Sequence, residues 1–118
     1  MTAPSNTVTT HVLDTALGHP ARGLYVVLER LEKNGAATPV GSGTTDDDGR
    51  VRDLLSAGGV LEEGRYRLTF ATDAYFGAAQ REFFFPEVGI VFRVGSGTQH
   101  YHVPLLLSPF GYSTYRGS

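Results

Sequence analysis

The sequence predicts an all-β protein, an antiparallel sandwich or barrel of about eight strands with one short helix. Fifteen glycines and six prolines interrupt the 118 residues at short intervals. The runs between them are rich in Val, Tyr, Phe, Thr and Leu, which is typical of strands joined by tight turns. Apolar residues make up 41% of the chain, enough for the core of one domain.

Strands are predicted where apolar and polar residues alternate, or where turn residues bound an apolar run. The first strand places Thr9 and His11 on one face and Val12 on the other. In order, the predicted strands cover residues 8–14, 23–33, 40–45, 50–54, 64–71, 88–94, 100–108 and 112–115. Residues 18–21, which contain a glycine and a proline, are predicted to form a loop.

One helix is predicted, at residues 72–80. Its alanines favour helix, and Thr72 or Asp73 is suited to cap its first turn. We expect residues 1–7 to form a flexible polar leader and residues 8–118 to form a single domain. The leader has neither a basic start nor an apolar segment, so no signal peptide is predicted and a cytoplasmic location is expected.

Composition excludes several classes of protein. Ten Lys and Arg against twelve Asp and Glu give a formal charge of −2, which argues against nucleic-acid binding. Cysteine is absent, which excludes disulfides, cysteine-based zinc sites and thiol catalysis. The apolar runs are too short to span a bilayer, so no membrane partner is expected.

Three histidines stand on predicted strands in polar surroundings. A solvent-facing strand residue is the simplest interpretation of His11. His100 and His102 are two residues apart, so they share one face of their strand. Such a pair suits acid–base catalysis near neutral pH, or a metal site if Asp, Glu or His11 supplies a third ligand.

An acidic turn at residues 46–49 precedes Arg50. The Asp-Asp-Asp-Gly run resembles part of a calcium loop, but the required glycine and distal glutamate spacing is missing. The simpler interpretation is a turn in which Asp bonds the backbone and Gly49 adopts positive φ. Arg50 follows this turn at the start of the predicted strand 50–54, so its side chain lies on one face of that strand. Its guanidinium suits recognition of carbonyl or anionic groups.

The remaining motifs narrow the chemistry without naming a substrate. The last residues follow a tight corner at residues 108–111, which predicts that Arg116 is held near the core. The sequence contains neither a Gly-x-Ser-x-Gly motif nor a glycine-rich phosphate loop. From the residues alone, the set of His and Arg suits hydrolysis of, or proton transfer on, a small uncharged or anionic molecule.

At these same places the sequence resembles the transthyretin-like family, and within it the 5-hydroxyisourate hydrolases. The matching segments are TTHVLD (9–14), PARG (20–23), DDGR (47–50), FPE (85–87) and HYHVPLLLSPFGYSTYRGS (100–118). Transthyretin, the hormone carrier, has Lys, Glu and Thr where this chain has His11, Arg50 and His102. It also lacks the Tyr-Arg-Gly-Ser ending.

The resemblance implies a fold, an assembly and a reaction. The fold is an eight-stranded, two-sheet transthyretin-like sandwich with one short helix. The assembly is a homotetramer, a dimer of dimers with substrate sites in a central channel. The reaction is hydrolytic ring opening of 5-hydroxyisourate to 2-oxo-4-hydroxy-4-carboxy-5-ureidoimidazoline in urate degradation, with no metal and no organic cofactor.

The resemblance also assigns the site. The catalytic residues it implies are His11, Arg50, His102 and Ser118, and the substrate-binding set adds Tyr115 and Arg116. His102 and His11 would activate water and shuttle its proton, with the identity of the base left open, and Arg50 would bind substrate oxygens. His100 is not at a matched position, and His19 is expected to be structural.

Two other classes of function stand beside the hydrolase. One is a transthyretin-like carrier that holds a small ligand in the channel without turnover. The other is a plain β-sandwich interaction domain. Charge and composition do not distinguish the three classes. The hydrolase is favoured because His11, Arg50 and His102 match the 5-hydroxyisourate hydrolases.

Overall fold

Two sheets and one helix make up the fold. The computed structural model describes residues 7–55, 61–97 and 99–118. In these ranges the elements are β1 (Thr7–Asp14), β2 (His19–Pro20), β3 (Tyr25–Leu31), β4 (Ala37–Thr44), β5 (Arg50–Val51), β6 (Gly64–Phe70), α1 (Thr72–Ala78), β7 (Val88–Val94), β8 (His100–Ser108) and β9 (Gly111–Thr114).

The strands divide into a five-stranded and a four-stranded sheet. The five-stranded sheet has the order β2-β1-β8-β9, and β5 also pairs with β1. The four-stranded sheet has the order β4-β3-β6-β7. The sheets form the two layers of a sandwich, which confirms the predicted all-β fold with one short helix.

The core lies between the sheets and is built from alternate residues of each strand. Tyr66, Leu68 and Phe70 of β6 are buried, while the residues between them are more exposed. This two-residue period is the one the sequence predicts, because successive strand side chains point to opposite faces. The largest fully buried side chains are Tyr66, Phe70, Phe76, Leu24, Leu28, Leu54, Leu68, Leu105, Leu107, Val8, Val12 and Val26.

The centre of the five-stranded sheet departs from the predicted antiparallel pattern. β1 and β8 run parallel, in register from Thr7 opposite His100 to Asp14 opposite Leu107. Parallel neighbours need a long crossover. Here the crossover includes the whole four-stranded sheet and α1, and of the strands described only β8 runs parallel to the first strand.

Several predicted boundaries are corrected by the structure. His19 and Pro20, predicted to lie in a loop, form the short strand β2 against the end of β1. The predicted strand at residues 50–54 is shortened to Arg50–Val51. β1 begins at Thr7, the last residue of the predicted leader, and residues 1–6 lie outside the described part of the chain.

The predicted helix cap is also wrong. Ala71 is the residue that precedes α1, and no side chain caps the helix. Thr72 is buried and donates its hydroxyl to the Phe85 carbonyl at 2.6 Å. Its side chain therefore ties α1 to the loop before β7. None of the helices in the described residues is long and apolar enough to cross a membrane.

Candidate active site

The outer face of the five-stranded sheet carries the candidate site. Thr10 and Val12 of β1 are buried, whereas Thr9 and His11 are half-buried on the opposite face. On β8, Tyr101 and Val103 face the core, and His102 lies half-buried on the outer side. The alternation that builds the core thus places the two histidines on one outer surface.

The acidic turn fixes Arg50 beside this surface. Asp46 Oδ1 accepts hydrogen bonds from the backbone amides of Asp48, at 2.9 Å, and Arg50, at 3.0 Å. These backbone hydrogen bonds, the one from Arg50 first, hold the pKa of Asp46 below its usual range. The Asp46 carboxylate therefore stabilises the turn through the backbone, as the interpretation of this segment as a turn predicts.

A glycine lets the turn press against β1. Gly49 has φ +76°, and a Cβ there would overlap the Val12 carbonyl oxygen. The Gly49 carbonyl accepts a hydrogen bond from the Val12 amide at 2.7 Å. Arg50 consequently lies opposite His11 in the β1–β5 register.

A cleft of about 360 Å³ opens on this face. Its walls come from β1, β5, β8 and the C-terminal residues: Thr9, Thr10, Arg50, Val51, Arg52, His100, His102 and Ser118. Three of the four predicted catalytic residues, Arg50, His102 and Ser118, therefore line one cleft. The fourth, His11, lies beside it, between Arg50 on β5 and Pro104 on β8.

His102 is held from two sides. Its Nδ1 lies 2.7 Å from Thr9 Oγ1. Its backbone carbonyl accepts a hydrogen bond from the Gly117 amide at 2.9 Å, and a Cβ on Gly117 would overlap the imidazole Cδ2 atom. The ring is thus packed between β1 and the C-terminal tail.

The surroundings of His102 favour its neutral form. Burial, followed by repulsion from Arg50, His100 and His11, lowers the pKa of this imidazole below its usual value. A hydrogen bond to the Thr9 backbone acts in the opposite direction. A neutral imidazole beside a guanidinium suits a general base paired with a group that stabilises negative charge.

Tyr115 and Arg116 lie on the other side of His102. They line a second cleft of about 300 Å³ that lies beside β7 and β8 and also includes His102 in its wall. The Arg116 guanidinium sits 5.1 Å above the Tyr101 ring and donates a hydrogen bond to Gln99 Oε1 at 3.0 Å. Arg116 is therefore exposed and packed over the buried Tyr101 ring, outside the cleft of Arg50 and Ser118.

The alternative of a metal site finds little support in the geometry. In residues 7–55, 61–97 and 99–118, no three His, Asp or Glu side chains are arranged to hold an ion. His100 instead contacts Thr7 and Thr9. His19, expected to be structural, is exposed, with its Nδ1 3.0 Å from the Pro20 carbonyl oxygen.

Sequence reasoning missed two residues that position His102. From the sequence, Thr9 is only a neighbour of His11 within the matched segment 9–14, and Gly117 is only a part of the matched segment 100–118. The parallel register brings Thr9 opposite His102, and an isolated bridge brings Gly117 there. Alternation along single strands carries no information on either contact, because each joins two separate segments.

Comparison with known proteins identifies the family. Residues 8–117 match the HIUase/Transthyretin family. A 5-hydroxyisourate hydrolase of Salmonella typhi is 45% identical over 118 residues, which cover 100% of this chain and 85% of that protein. The structure of Klebsiella pneumoniae 5-hydroxyisourate hydrolase superposes with a TM-score of 0.82 at 41% identity, covering 96% and 99% of the two chains.

A transthyretin has the same fold. Sea bream transthyretin, solved in complex with thyroxine, superposes with a TM-score of 0.86 at 29% identity and covers 94% of each chain. The fold is therefore shared by a 5-hydroxyisourate hydrolase and a transthyretin that binds thyroxine, and the family match extends over nearly the whole chain. This chain belongs to the HIUase/Transthyretin family.

Proposed function

We propose that this protein is a 5-hydroxyisourate hydrolase. The observation that carries the proposal is the meeting of Arg50, His102 and Ser118 in one cleft with His11 beside it. Relatives named 5-hydroxyisourate hydrolase, such as the Salmonella typhi protein at 45% identity, support the same activity. The reaction opens the ring of 5-hydroxyisourate and gives 2-oxo-4-hydroxy-4-carboxy-5-ureidoimidazoline.

The base in this mechanism is His102. Its Nδ1 is engaged by Thr9, so Nε2 is the nitrogen that takes a proton from water. The water oxygen then bonds to the ring carbonyl carbon, and the carbonyl oxygen becomes negatively charged. Breaking the ring C–N bond restores the carbonyl, and the leaving nitrogen takes the proton back from Nε2, which returns His102 to its neutral form.

Arg50 stabilises the negative charge that develops on the carbonyl oxygen, and His11 lies next to Arg50. The Arg50 guanidinium binds the oxyanion, and its planar fork matches adjacent oxygen and nitrogen acceptors. His11 lies beside the cleft, opposite Arg50 in the register, and takes part with His102 in shuttling the proton. Ser118 contacts the substrate from the tail. Tyr115 and Arg116, which the resemblance assigns to substrate binding, line the second cleft on the other side of His102.

The functional assembly we propose is a homotetramer, a dimer of dimers. Strands β7 and β9 end the two sheets, and an unpaired edge strand favours pairing with another chain. The outer face that bears His11 and Arg50 then lines a channel between dimers. The cytoplasmic location stays a prediction from the sequence.

A direct assay tests the activity and its site. Urate oxidase generates 5-hydroxyisourate from urate, and stopped-flow ultraviolet absorbance follows its decay with and without the protein. We expect the wild type to accelerate the decay and the His102→Ala variant to leave it at the background rate. Arg50→Glu should reduce kcat/KM by at least about 100-fold, because an oxyanion donor is lost and a negative charge replaces it.

Arg65→Glu is the matched control, because it makes the same charge change on the four-stranded sheet. It should keep the wild-type rate, and circular dichroism should show that both arginine variants are folded. An active Arg50→Glu variant would contradict the role given to Arg50. No acceleration by the folded wild type would favour the carrier class, to be followed by ligand screening against the channel.

A further inference from the structure

Two threonines and two histidines form a row on the outer face, beginning at the candidate site and ending in solvent. Thr7 lies opposite His100, and Thr9 lies opposite His102, in the parallel β1–β8 register. Thr9 Oγ1 is 2.7 Å from His102 Nδ1 and 3.2 Å from His100 Nε2. One hydroxyl therefore joins the two imidazoles.

The row continues beyond His100. Thr7 Oγ1 lies 2.5 Å from His100 Nδ1. The imidazole planes of His100 and His102 are 12° from parallel, with their centroids 6.3 Å apart. His100 is exposed, whereas His102 is half-buried. The connection thus runs from a partly desolvated ring to one that water reaches.

The donor count allows two opposite directions of hydrogen bonds along this row, and a base at His102 Nε2 selects one of them. A threonine hydroxyl has one proton, so Thr9 accepts from one ring and donates to the other. If Nε2 of His102 is to act as a base, its proton is on Nδ1, which donates to Thr9 Oγ1. Thr9 then donates to His100 Nε2, and His100 Nδ1–H donates to Thr7.

We propose that Thr9 is a positioning residue that sets the tautomer of His102 and links it to His100 as a two-imidazole proton relay. The inference rests on the proposed function, since it assigns His102 as the base. It adds to that function a role for His100, and it extends the contact of Thr9 with His102 into a link between the two imidazoles.

The proton balance closes over one turnover. When His102 Nε2 takes a proton from water, the Nδ1 proton passes to Thr9 and the Thr9 hydroxyl proton passes to His100 Nε2. The positive charge is then on exposed His100, and His102 is neutral with its proton on Nε2. When the leaving nitrogen takes that proton, both transfers reverse.

The charges and the burial around His102 favour moving the positive charge from His102 to His100. An imidazolium at His102 would face Arg50, His11 and His100, with Arg52 in the same cleft wall. Burial and these charges already lower the pKa of His102. His100 reaches water, so a cation is less costly there than in the half-buried position.

Thr9→Val tests the link, because valine keeps the shape and strand propensity of threonine and removes only the hydroxyl. We expect kcat to fall about 10- to 100-fold, the factor associated with one hydrogen bond to a charged group, with little change in KM. Thr9→Ser should recover most of the rate. Thr15→Val is the matched control, because its hydroxyl contacts the Leu107 carbonyl far from His102.

The pH profile separates the relay from a merely structural role. His100→Gln removes a group whose charge lowers the pKa of His102, so the acid limb of kcat should move to higher pH as kcat falls. An acid limb and a kcat equal to those of the wild type, in both His100→Gln and Thr9→Val, would overturn the relay. The same series with active wild type and inactive His102→Ala would leave the proposed hydrolase intact.

A second measurement does not depend on turnover. Nitrogen-15 NMR of the imidazoles reports which ring nitrogen carries the proton. We expect the neutral form of His102 to carry it on Nδ1 in the wild type and in Thr9→Ser, and to lose this preference in Thr9→Val. A wild-type His102 protonated on Nε2 would overturn the inference, whatever the activity.

Discussion

At the scale of single residues, the imidazole of His102 is fixed by one residue from each end of the chain. Thr9 engages its Nδ1, and Gly117 packs against its ring and binds its carbonyl. Catalytic groups need to be held close to the productive geometry, and small displacements lower rates strongly. The C-terminal tail therefore helps to hold the His102 imidazole in place through Gly117.

Gly117→Ala should damage turnover while sparing the fold. The added methyl would overlap the His102 ring and lie 3.2 Å from Pro104 Cγ, so the imidazole must move. We expect kcat to fall about 100-fold, the effect of misplacing a reacting group by about 1 Å. Stopped-flow decay of 5-hydroxyisourate measures it, alongside the melting temperature.

Gly77→Ala provides the comparison, because a Cβ there meets nothing within 4 Å and alanine favours helix. Its activity should equal that of the wild type. Full activity in Gly117→Ala would mean that the ring tolerates displacement, and the supporting role of the tail would then be rejected.

At the scale of elements, β1 is anchored to α1 by a buried carboxylate. Asp14 is fully buried, and Arg81, just past the helix, lies 2.6 Å from its Oδ2. The Tyr75 hydroxyl donates to the same oxygen at 2.8 Å. Burial of Asp14 acts to raise its pKa, but the hydrogen bonds from Arg81, Tyr75 and the Leu17 amide lower it overall.

Arg81→Met should destabilise the fold by about 3 kcal/mol or more, because it leaves the Asp14 carboxylate buried without its cation. Urea unfolding monitored by circular dichroism gives the free energy of unfolding. Arg22→Met is the control, since its ion pair with Asp47 is exposed on both sides and should contribute about 1 kcal/mol at most.

The pH dependence of unfolding identifies why Arg81→Met loses stability. An Asp with a lowered folded pKa stabilises the fold above its unfolded pKa of about 3.9, and this stabilisation disappears as pH falls through the folded pKa. The difference between wild type and Arg81→Met should therefore be largest near neutral pH and shrink below about pH 4. A difference independent of pH would indicate lost packing instead of a lost ion pair.

What sequence predicts well is confined to single elements. The faces of β1 and β6 follow from alternation, and the acidic turn follows from its Asp and Gly residues. The parallel β1–β8 pair, the Asp14–Arg81 contact and the Thr9–His102 contact do not, because each joins segments far apart in sequence. The cap of α1 was predicted wrongly, since Thr72 is buried and bonds Phe85 instead.

For the candidate site, the residues could be predicted from the family resemblance, but their grouping into two clefts could not. His11, Arg50, His102 and Ser118 came from the family resemblance, and the fold gathers them on one face. The separate placement of Tyr115 and Arg116 was not predictable, because it depends on the tail passing beside β8 with Gly117 opposite His102.

At the scale of the whole molecule, the proposed homotetramer should have four times the 12.7 kDa mass of the chain. Large exposed side chains such as Phe84 and Phe110, 70% and 67% exposed, are groups that association would cover. Sedimentation equilibrium measures the mass, and specific activity should fall on dilution below the dissociation constant. A fully active monomer would contradict the proposal that the channel forms the site.

The contact between Thr9 and His102 spans 93 positions of the chain. On the ribosome, β1 and β5 emerge early and can pair with each other, but β1 stays without its parallel neighbour until β8 has been translated. Pairing over such a distance is slow compared with local contacts. Hydrolysis would therefore begin only in chains whose synthesis has passed β8, which makes turnover a reporter of successful pairing between distant segments.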